Sequence, residues 1–381
     1  MTGLYIHIPF CVKKCAYCNF ASVAGSPEAM KTYTRSLLCS MDFMAALAED
    51  RTFDTLFIGG GTPSILPPAL LTAIVQGAEA HFTLTPEGER TIEANPGTLS
   101  PEKLTAYREA GLTRISLGLQ AAQPHLLQTI GRIHTRDDYC ISAAAAGNAG
   151  FKNLNTDVMA GLPGQTPENL RETLELAAAY STHISLYGLQ LEEGTPLEAS
   201  IRTGKLTLPS EDAVMDMLEA GKELLASEGF HQYEVSNYAR EGFECRHNLI
   251  YWQYGQWLGL GASAASHWGD CHYTLPDDLD AYVLWVEAGC PSEGVECQEL
   301  SPRDAAFEEL MMGLRLIRGV DTLDYRLRRG YTPREAAPKA LAILSEKNLL
   351  RETDGFLRLT PRGFEVMNGV LEMIMEEFFP D

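Results

Sequence analysis

The chain has 381 residues, 45% of them hydrophobic and 21% charged, which is ordinary for a globular protein and long enough for two or three domains of about 100–200 residues. Fifty-one acidic residues against 30 basic ones give a formal net charge of -21, a surface that repels phosphate backbones and anionic lipid and excludes general nucleic-acid binding. No apolar run approaches the ~20 residues of a membrane span, and the opening MTGLYIHIPFC lacks a signal-peptide pattern. Nine cysteines, an odd number, then point to metal or catalytic use in a reducing cytoplasm, not to disulfides.

Strand-like runs alternate with longer amphipathic stretches as far as residue 240. The predicted strands are LYIHI at 4–8, TLFIG at 55–59, RTIEA at 90–94, RISLG at 114–118, NTDVMAG at 155–161 and HISLYGL at 183–189. Helices between them have readable starts: SPEAM at 26–30 and SPEKL at 100–104 each offer a serine cap, proline in the first turn and an early glutamate. The small-residue stretch ISAAAAGNAG at 141–150 reads as a tightly packed helix. This alternation implies parallel strands joined by right-handed crossovers, with functional groups at the strands' C-terminal ends. Six units are too few for a closed eight-stranded barrel; periodicity alone leaves a doubly wound sheet and a partial barrel both open. From Ser301 the character changes: SPRDAAFEELMMGLRLIRG reads as a capped helix, FLRLTPRGF as a strand and turn, and FEVMNGVLEMIMEEFF as a last helix. Phe364, Met367, Val370, Leu371, Ile374 and Phe378 mark its apolar face at helical spacing. Its methionines are expected to fill a core gap.

Directly after the first strand, residues 7–20 read HIPFCVKKCAYCNF, with Cys11, Cys15 and Cys18 spaced C-x3-C-x2-C. Three thiolates make a metal site short of one ligand. A structural zinc site closes with four protein ligands, yet no second cysteine pair follows, and His7 would have to complete the set from within a strand. An iron–sulfur cubane normally takes four thiolates. Three on a compact loop suit a cubane whose fourth iron is left for an exogenous ligand.

This loop, with Tyr17 just before Cys18, resembles the radical S-adenosylmethionine (SAM) superfamily. The resemblance implies a [4Fe-4S] cluster on Cys11, Cys15 and Cys18, with the amino and carboxylate groups of SAM chelating the open iron. It also implies reductive cleavage of SAM to methionine and a 5′-deoxyadenosyl radical. The next strand end, FIGGGTPS, is similar to the superfamily's GGE-type motif that meets the methionine amino group; no lysine follows, so it is not a phosphate loop. EANPGT brings Glu93, SLGLQ brings Gln120, GRIH brings Arg132, and Asp157 precedes GLPGQT. Buried hydroxyls, amines and carboxylates need such partners. In the coproporphyrinogen-oxidase-like branch the matching positions bind SAM, which marks Tyr5, Tyr17, Gly60, Gly61, Thr62, Glu93, Gln120, Arg132 and Asp157. The implied fold is α/β, a partial (β/α)6 radical-SAM barrel followed by a small mainly helical C-terminal domain.

Two features narrow the branch. Oxygen-independent coproporphyrinogen III oxidases carry a further cysteine, C-x2-C-x-C, and a segment before the first strand; this chain reads Cys18-Asn19-Phe20 and begins its strand by Leu4. RHNLIYWQYGQWLGLG contains H-N-x-x-Y-W, with His247, Asn248, Tyr251 and Trp252, and is similar to the signature of the HemW haem-chaperone family. The expected division is a core at 1–240, a connecting segment at 241–300 and a HemN-like C-terminal domain at 301–381. That family implies haem as cargo, transfer to an acceptor protein (a respiratory one among the options), a role beside porphyrin biosynthesis, and homodimerisation. His247, four residues before Tyr251, packs into a core in one reading and ligates haem iron in the other. The rival functions are a coproporphyrinogen III oxidase and another radical SAM enzyme acting on a tetrapyrrole.

Overall fold

The computed structural model describes residues 1–48 and 52–380. Six parallel strands, β1 Thr2–Ile8, β2 Thr52–Gly60, β3 Thr83–Ala94, β4 Arg114–Gln120, β5 Asn153–Ala160 and β6 His183–Gly188, lie side by side in chain order. A doubly wound sheet reverses its strand order part-way. This sheet runs from β1 to β6 without reversal, the arrangement of a partial barrel. The six predicted strands all form, and β3 begins well before residue 90, at Thr83.

The strands are apolar because both faces are covered. Leu4, Ile6 and Ile8 of β1, Leu56 and Ile58 of β2, and Ile115 and Leu117 of β4 are fully buried, each worth about 1.5–3 kcal/mol of transfer free energy. Crossover helices α1 Pro27–Leu47, α2 Pro68–His81, α3 Pro101–Glu109, α4 Arg136–Asn148 and α5 Pro167–Tyr180 return the chain to the start of each next strand. Their starts are chemically fixed. Ser26 accepts from the Ala29 N–H and Ser100 from Lys103, while Thr135 with Asp138 and Thr166 with Asn169 form reciprocal capping boxes.

Residues after the barrel extend both edges. A seventh parallel strand, β7 Gln256–Leu260, pairs with the free side of β1, from Thr2 opposite Gln256 to Ile6 opposite Leu260. It is preceded by the helix Arg246–Trp252 and followed by antiparallel strands Ala265–Trp268, Cys271–Thr274 and Glu296–Glu299. Beyond β6, the antiparallel strands Asn237–Ala239 and His231–Gln232 finish the other edge.

The C-terminal residues build a second core around Leu310, Leu314, Tyr325, Leu341, Leu357 and Ile374. Its first helix, Pro302–Gly313, starts from a Ser301–Asp304 capping box. The last helix, Met367–Phe378, buries Val370, Leu371, Ile374 and Phe378, with Phe364 and Met367 packed partly buried beside them. The one short strand expected here is joined by two more in a small sheet of Val320–Asp321, Phe356–Leu359 and Leu350–Thr353. A β-bridge between Glu234 and Leu316, and the Ile317 N–H bonded to the Tyr233 carbonyl at 3.1 Å, tie this domain to the β6 edge.

Candidate functional site

A cavity of about 460 Å³ opens at the C-terminal ends of the strands, where a parallel sheet concentrates its chemistry. Its lining includes Cys11, Cys15 and Cys18, together with Tyr17, Gly60, Gly61, Thr62, Glu93, Gln120, Arg132 and Asp157. Eleven of the twelve residues singled out from the cluster and SAM patterns therefore meet there. Tyr5 does not: it sits lower in the barrel interior, its hydroxyl 3.0 Å from His7 Nδ1 and its ring stacked near Phe57.

The cysteine loop is pinned at several points. Phe10–Cys11 pairs with Val23–Ala24, closing the base of the loop, and the Ala16 N–H bonds the Ile130 carbonyl at 2.9 Å. The Thr62 N–H bonds the Phe10 carbonyl at 2.7 Å, locking the glycine turn against it. That turn requires glycine. Gly60 has φ +113 and a Cβ there would meet the His7 ring at 2.7 Å, while a Cβ on Gly61 would meet the Phe10 carbonyl at 2.6 Å and Cys11 Sγ at 3.0 Å.

His7 is not available to complete a zinc site. Its ring is buried between Tyr5 and the Ala21 carbonyl, 3.1 Å from Nε2, so it ties the exit of the cysteine loop to β1. Among the described residues no three His, Cys, Asp or Glu side chains converge on a single-ion position. A cubane asks for something different, one thiolate to each of three separate irons, and three thiols along one wall of a cavity meet that demand. Arg132 adds positive charge beside them: its Nη1 stands 3.5 Å from Cys15 Sγ, and its Nη2 donates to Asn95 Oδ1 at 2.5 Å and the Gly118 carbonyl at 2.6 Å.

Two carboxyl groups, Glu93 and Asp157, line the same cavity. Glu93 accepts the Gly60 N–H at 3.1 Å, and Asp157 accepts from Asn155 at 2.7 Å and Ser116 at 3.3 Å. Burial, with the Asp157 carboxylate nearby, pushes Glu93 up to about 8. Burial pushes Asp157 up as well, against the pull of its hydrogen bonds. Neither carboxylate forms an ion pair among the described residues. Together they are complementary to a ligand that carries positive charge and hydroxyls. Gln120 reaches the same space from a bulge: β4 loses register with β5 between Gly118 and Gln120, and Gln120 takes φ +67 while accepting the Tyr187 hydroxyl at 3.0 Å.

Sequence reasoning passed over two members. Asn95 donates to Thr62 Oγ1 at 2.9 Å and accepts Arg132, so it couples the glycine turn to the guanidinium. The signal was present, since Asn95 lies two residues past Glu93 in EANPGT. Tyr187 came unannounced inside HISLYGL, where it reads as one more strand aromatic.

His247 stands elsewhere. Its nitrogens meet Thr55 Oγ1 at 2.6 Å and the Tyr251 hydroxyl at 2.8 Å, its ring stacks on Phe57 at 5.0 Å, and it is 1% exposed. It contacts Gly3 and Thr55, near the starts of β1 and β2, at the opposite end of the barrel from the cysteines. The expectation of a haem ligand there meets a core histidine with both nitrogens engaged.

Comparison with known proteins agrees with this geometry. Residues 5–177 match the Radical SAM superfamily model and residues 300–366 the HemN C-terminal domain. Coproporphyrinogen III oxidase (HemN) from Escherichia coli, described as a radical SAM enzyme, superposes with TM-score 0.84 over 98% of this chain and 89% of that one; at 22% identity it establishes the fold alone. The heme chaperone HemW of Escherichia coli is 33% identical over 98% of both chains. The Bacillus subtilis protein of that name is 33% identical over 99% of this chain and 100% of its own, and the Synechocystis protein 36% identical over 84% and 79%. With identity sustained over nearly its whole length, the chain belongs to the HemW heme-chaperone family of the radical SAM superfamily.

Proposed function

We propose that this protein is a haem chaperone: it binds haem as cargo and delivers it to an acceptor protein, with a [4Fe-4S] cluster and SAM in the barrel cavity. Sequence identity of 33–36% over 84–99% of this chain with proteins named heme chaperone carries the reading, and Phe20 supports it. Where the oxidases continue C-x2-C-x-C, Phe20 lines the cavity mouth and is 62% exposed, offering no thiol. In this reading Cys11, Cys15 and Cys18 hold the cluster, and Tyr17, Gly60, Gly61, Thr62, Glu93, Gln120, Arg132 and Asp157 surround SAM. Tyr5 supports that pocket from below. When bound, the two groups supply one-electron chemistry. The chain's own part is to hold the thiolates apart, neutralise them with Arg132 and meet the SAM cation with Glu93 and Asp157.

The cytoplasm is the proposed location, consistent with the clustered thiols; among the described residues no helix is long and apolar enough to cross a membrane. Residues 1–240 form the cofactor-binding unit, 241–300 the connecting segment that also adds β7, and 301–381 the HemN-like domain. The acceptor, a respiratory haem protein among the options, and homodimerisation belong to the same proposal. The test is a paired assay on one anaerobically reconstituted sample. Haem should bind, and coproporphyrinogen III should remain unchanged with reductant and SAM; its catalytic conversion to protoporphyrinogen would overturn the reading in favour of an oxidase.

Glu93 makes a pH signature. Below about 8 it is protonated in the free pocket, whereas a cationic ligand favours the ionised form. SAM binding at pH 7 should therefore release protons, measurable by calorimetry in buffers of different ionisation enthalpy. Apparent affinity should fall as pH drops from 8 toward 6, by at most about tenfold per unit. Glu93→Gln should bind SAM more weakly at pH 8.5 and flatten the profile while keeping the iron. A profile as steep as that of the unmodified protein would show that another group carries the proton.

A further inference from the structure

A second cavity, about 620 Å³, lies between the β6 edge of the barrel and the C-terminal domain. Its floor is Leu186, Tyr187 and Gly188 of β6; one wall is the helix Glu211–Ser227, the other the strand Phe356–Leu359 and the short helix Pro361–Glu365 after it. The chain has a use for neither wall in the barrel chemistry, and the volume falls in the ~300–1,000 Å³ range of small-molecule sites. We propose that this cavity is where the haem cargo sits, its apolar macrocycle between Leu218 and Leu359–Phe364 and its propionates on Lys222, Arg351 and Arg358. The proposal rests on the haem-chaperone reading above and assigns that reading a place.

Three observations converge on it. First, the walls are apolar where a flat ring would lie: Leu218 and Phe364 are half-buried and face the cavity from opposite domains, with Leu359 buried behind. Second, three basic side chains line one cavity in a protein of net charge -21. Among the described residues Arg358 Nε is buried without a hydrogen-bond partner, and the guanidinium makes a loose contact, 3.6 Å, with Asp354. A guanidinium with one buried, open donor is a group that a carboxylate satisfies. Lys222 is held by Glu219 at 3.2 Å and Glu365 also lines the cavity, so the three basic side chains exceed the two acidic ones by a single positive charge, carried by the arginines. Third, the cavity adjoins the first one. Tyr187 and Gly188 line both, and the Tyr187 hydroxyl donates to Gln120 in the cysteine cavity. Cargo here would sit across one residue pair from the proposed SAM pocket, so occupancy of either could be felt at the other.

The test is a haemin titration of reconstituted wild type, Arg351→Glu/Arg358→Gln and Leu218→Trp, followed by the Soret band, with the macrocycle's dimethyl ester as a second probe. Wild type should saturate at about one haem per chain. The arginine variant should bind haemin at least about tenfold more weakly, the scale of one lost charge-assisted contact. It should bind the ester as wild type does, because the ester has no charge for those arginines to meet. Leu218→Trp, which fills the cavity, should weaken both ligands, and all three proteins should keep their iron. Wild-type haemin affinity in both variants would overturn the location while leaving the haem-chaperone reading intact. A wild-type protein that binds no haem would remove that reading itself, and the cavity assignment with it.

Discussion

Cys11→Ala, Cys15→Ala and Cys18→Ala should each strip the anaerobically reconstituted protein of most of its iron and of the broad ~400 nm absorption of a thiolate-ligated cluster. The unmodified chain should hold about one [4Fe-4S] unit. The size of the effect follows from the chemistry of the site. With three protein thiolates and one position left to an exogenous ligand, losing one thiolate leaves two irons without protein bonds, and nothing adjacent replaces it. His7 is engaged by Tyr5 and Ala21, and Arg132 beside Cys15 is a cation. The remaining cysteines cannot substitute. Cys39 and Cys140 lie on crossover helices, Cys245 and Cys290 are buried elsewhere, and Cys271 and Cys297 sit on the far antiparallel strands. Each should be individually dispensable for iron content. Reconstitution that yields zinc and no iron would reject the cluster.

Much of this site was legible because its residues carry their geometry in sequence. The cysteine spacing needs only a loop, the glycine run needs only a turn, and both follow predicted strands. Glu93, Gln120 and Asp157 end or nearly end strands of a parallel sheet, so their convergence follows from topology. Asn95 and Tyr187 were less legible because their roles lie in partners, Thr62 with Arg132 and Gln120, brought close only by folding. The same limit hid β7. QWLGL is five residues long and sits beside a motif that drew attention for its histidine, and only its pairing with Thr2–Ile6 shows that it continues the sheet. The C-terminal helices declared themselves by caps and spacing, while the cavity they share with the barrel depends on how two cores meet and leaves no local pattern.

The largest effect outside the cluster is expected at His247, and it should be one of stability. Truncation to alanine removes a buried ring and orphans the Thr55 and Tyr251 hydroxyls, a combination worth about 2–5 kcal/mol. His247→Asn or His247→Gln, which each keep one of the two hydrogen-bonding positions, should recover part of it. Burial and the charge of Arg114 hold the imidazole down at about 3, so the folded protein keeps it neutral. An unfolded chain protonates the same ring near 6.5. Stability is therefore unaffected by this group above pH 6.5 and is lost progressively as pH falls from 6.5 toward 3, by up to about 1.4 kcal/mol per unit. Denaturant unfolding at pH 7.5 and 5 would measure it. The unmodified protein should weaken more than His247→Gln across that interval, because glutamine has no proton to gain. The haem spectrum gives the decisive contrast. If His247 is core, the glutamine variant binds haem with an unshifted Soret band and full affinity. A shifted band with unaltered unfolding free energy would instead place iron at a nitrogen that, in the folded structure, already belongs to Thr55 or Tyr251, and would require the base of the barrel to open for its cargo.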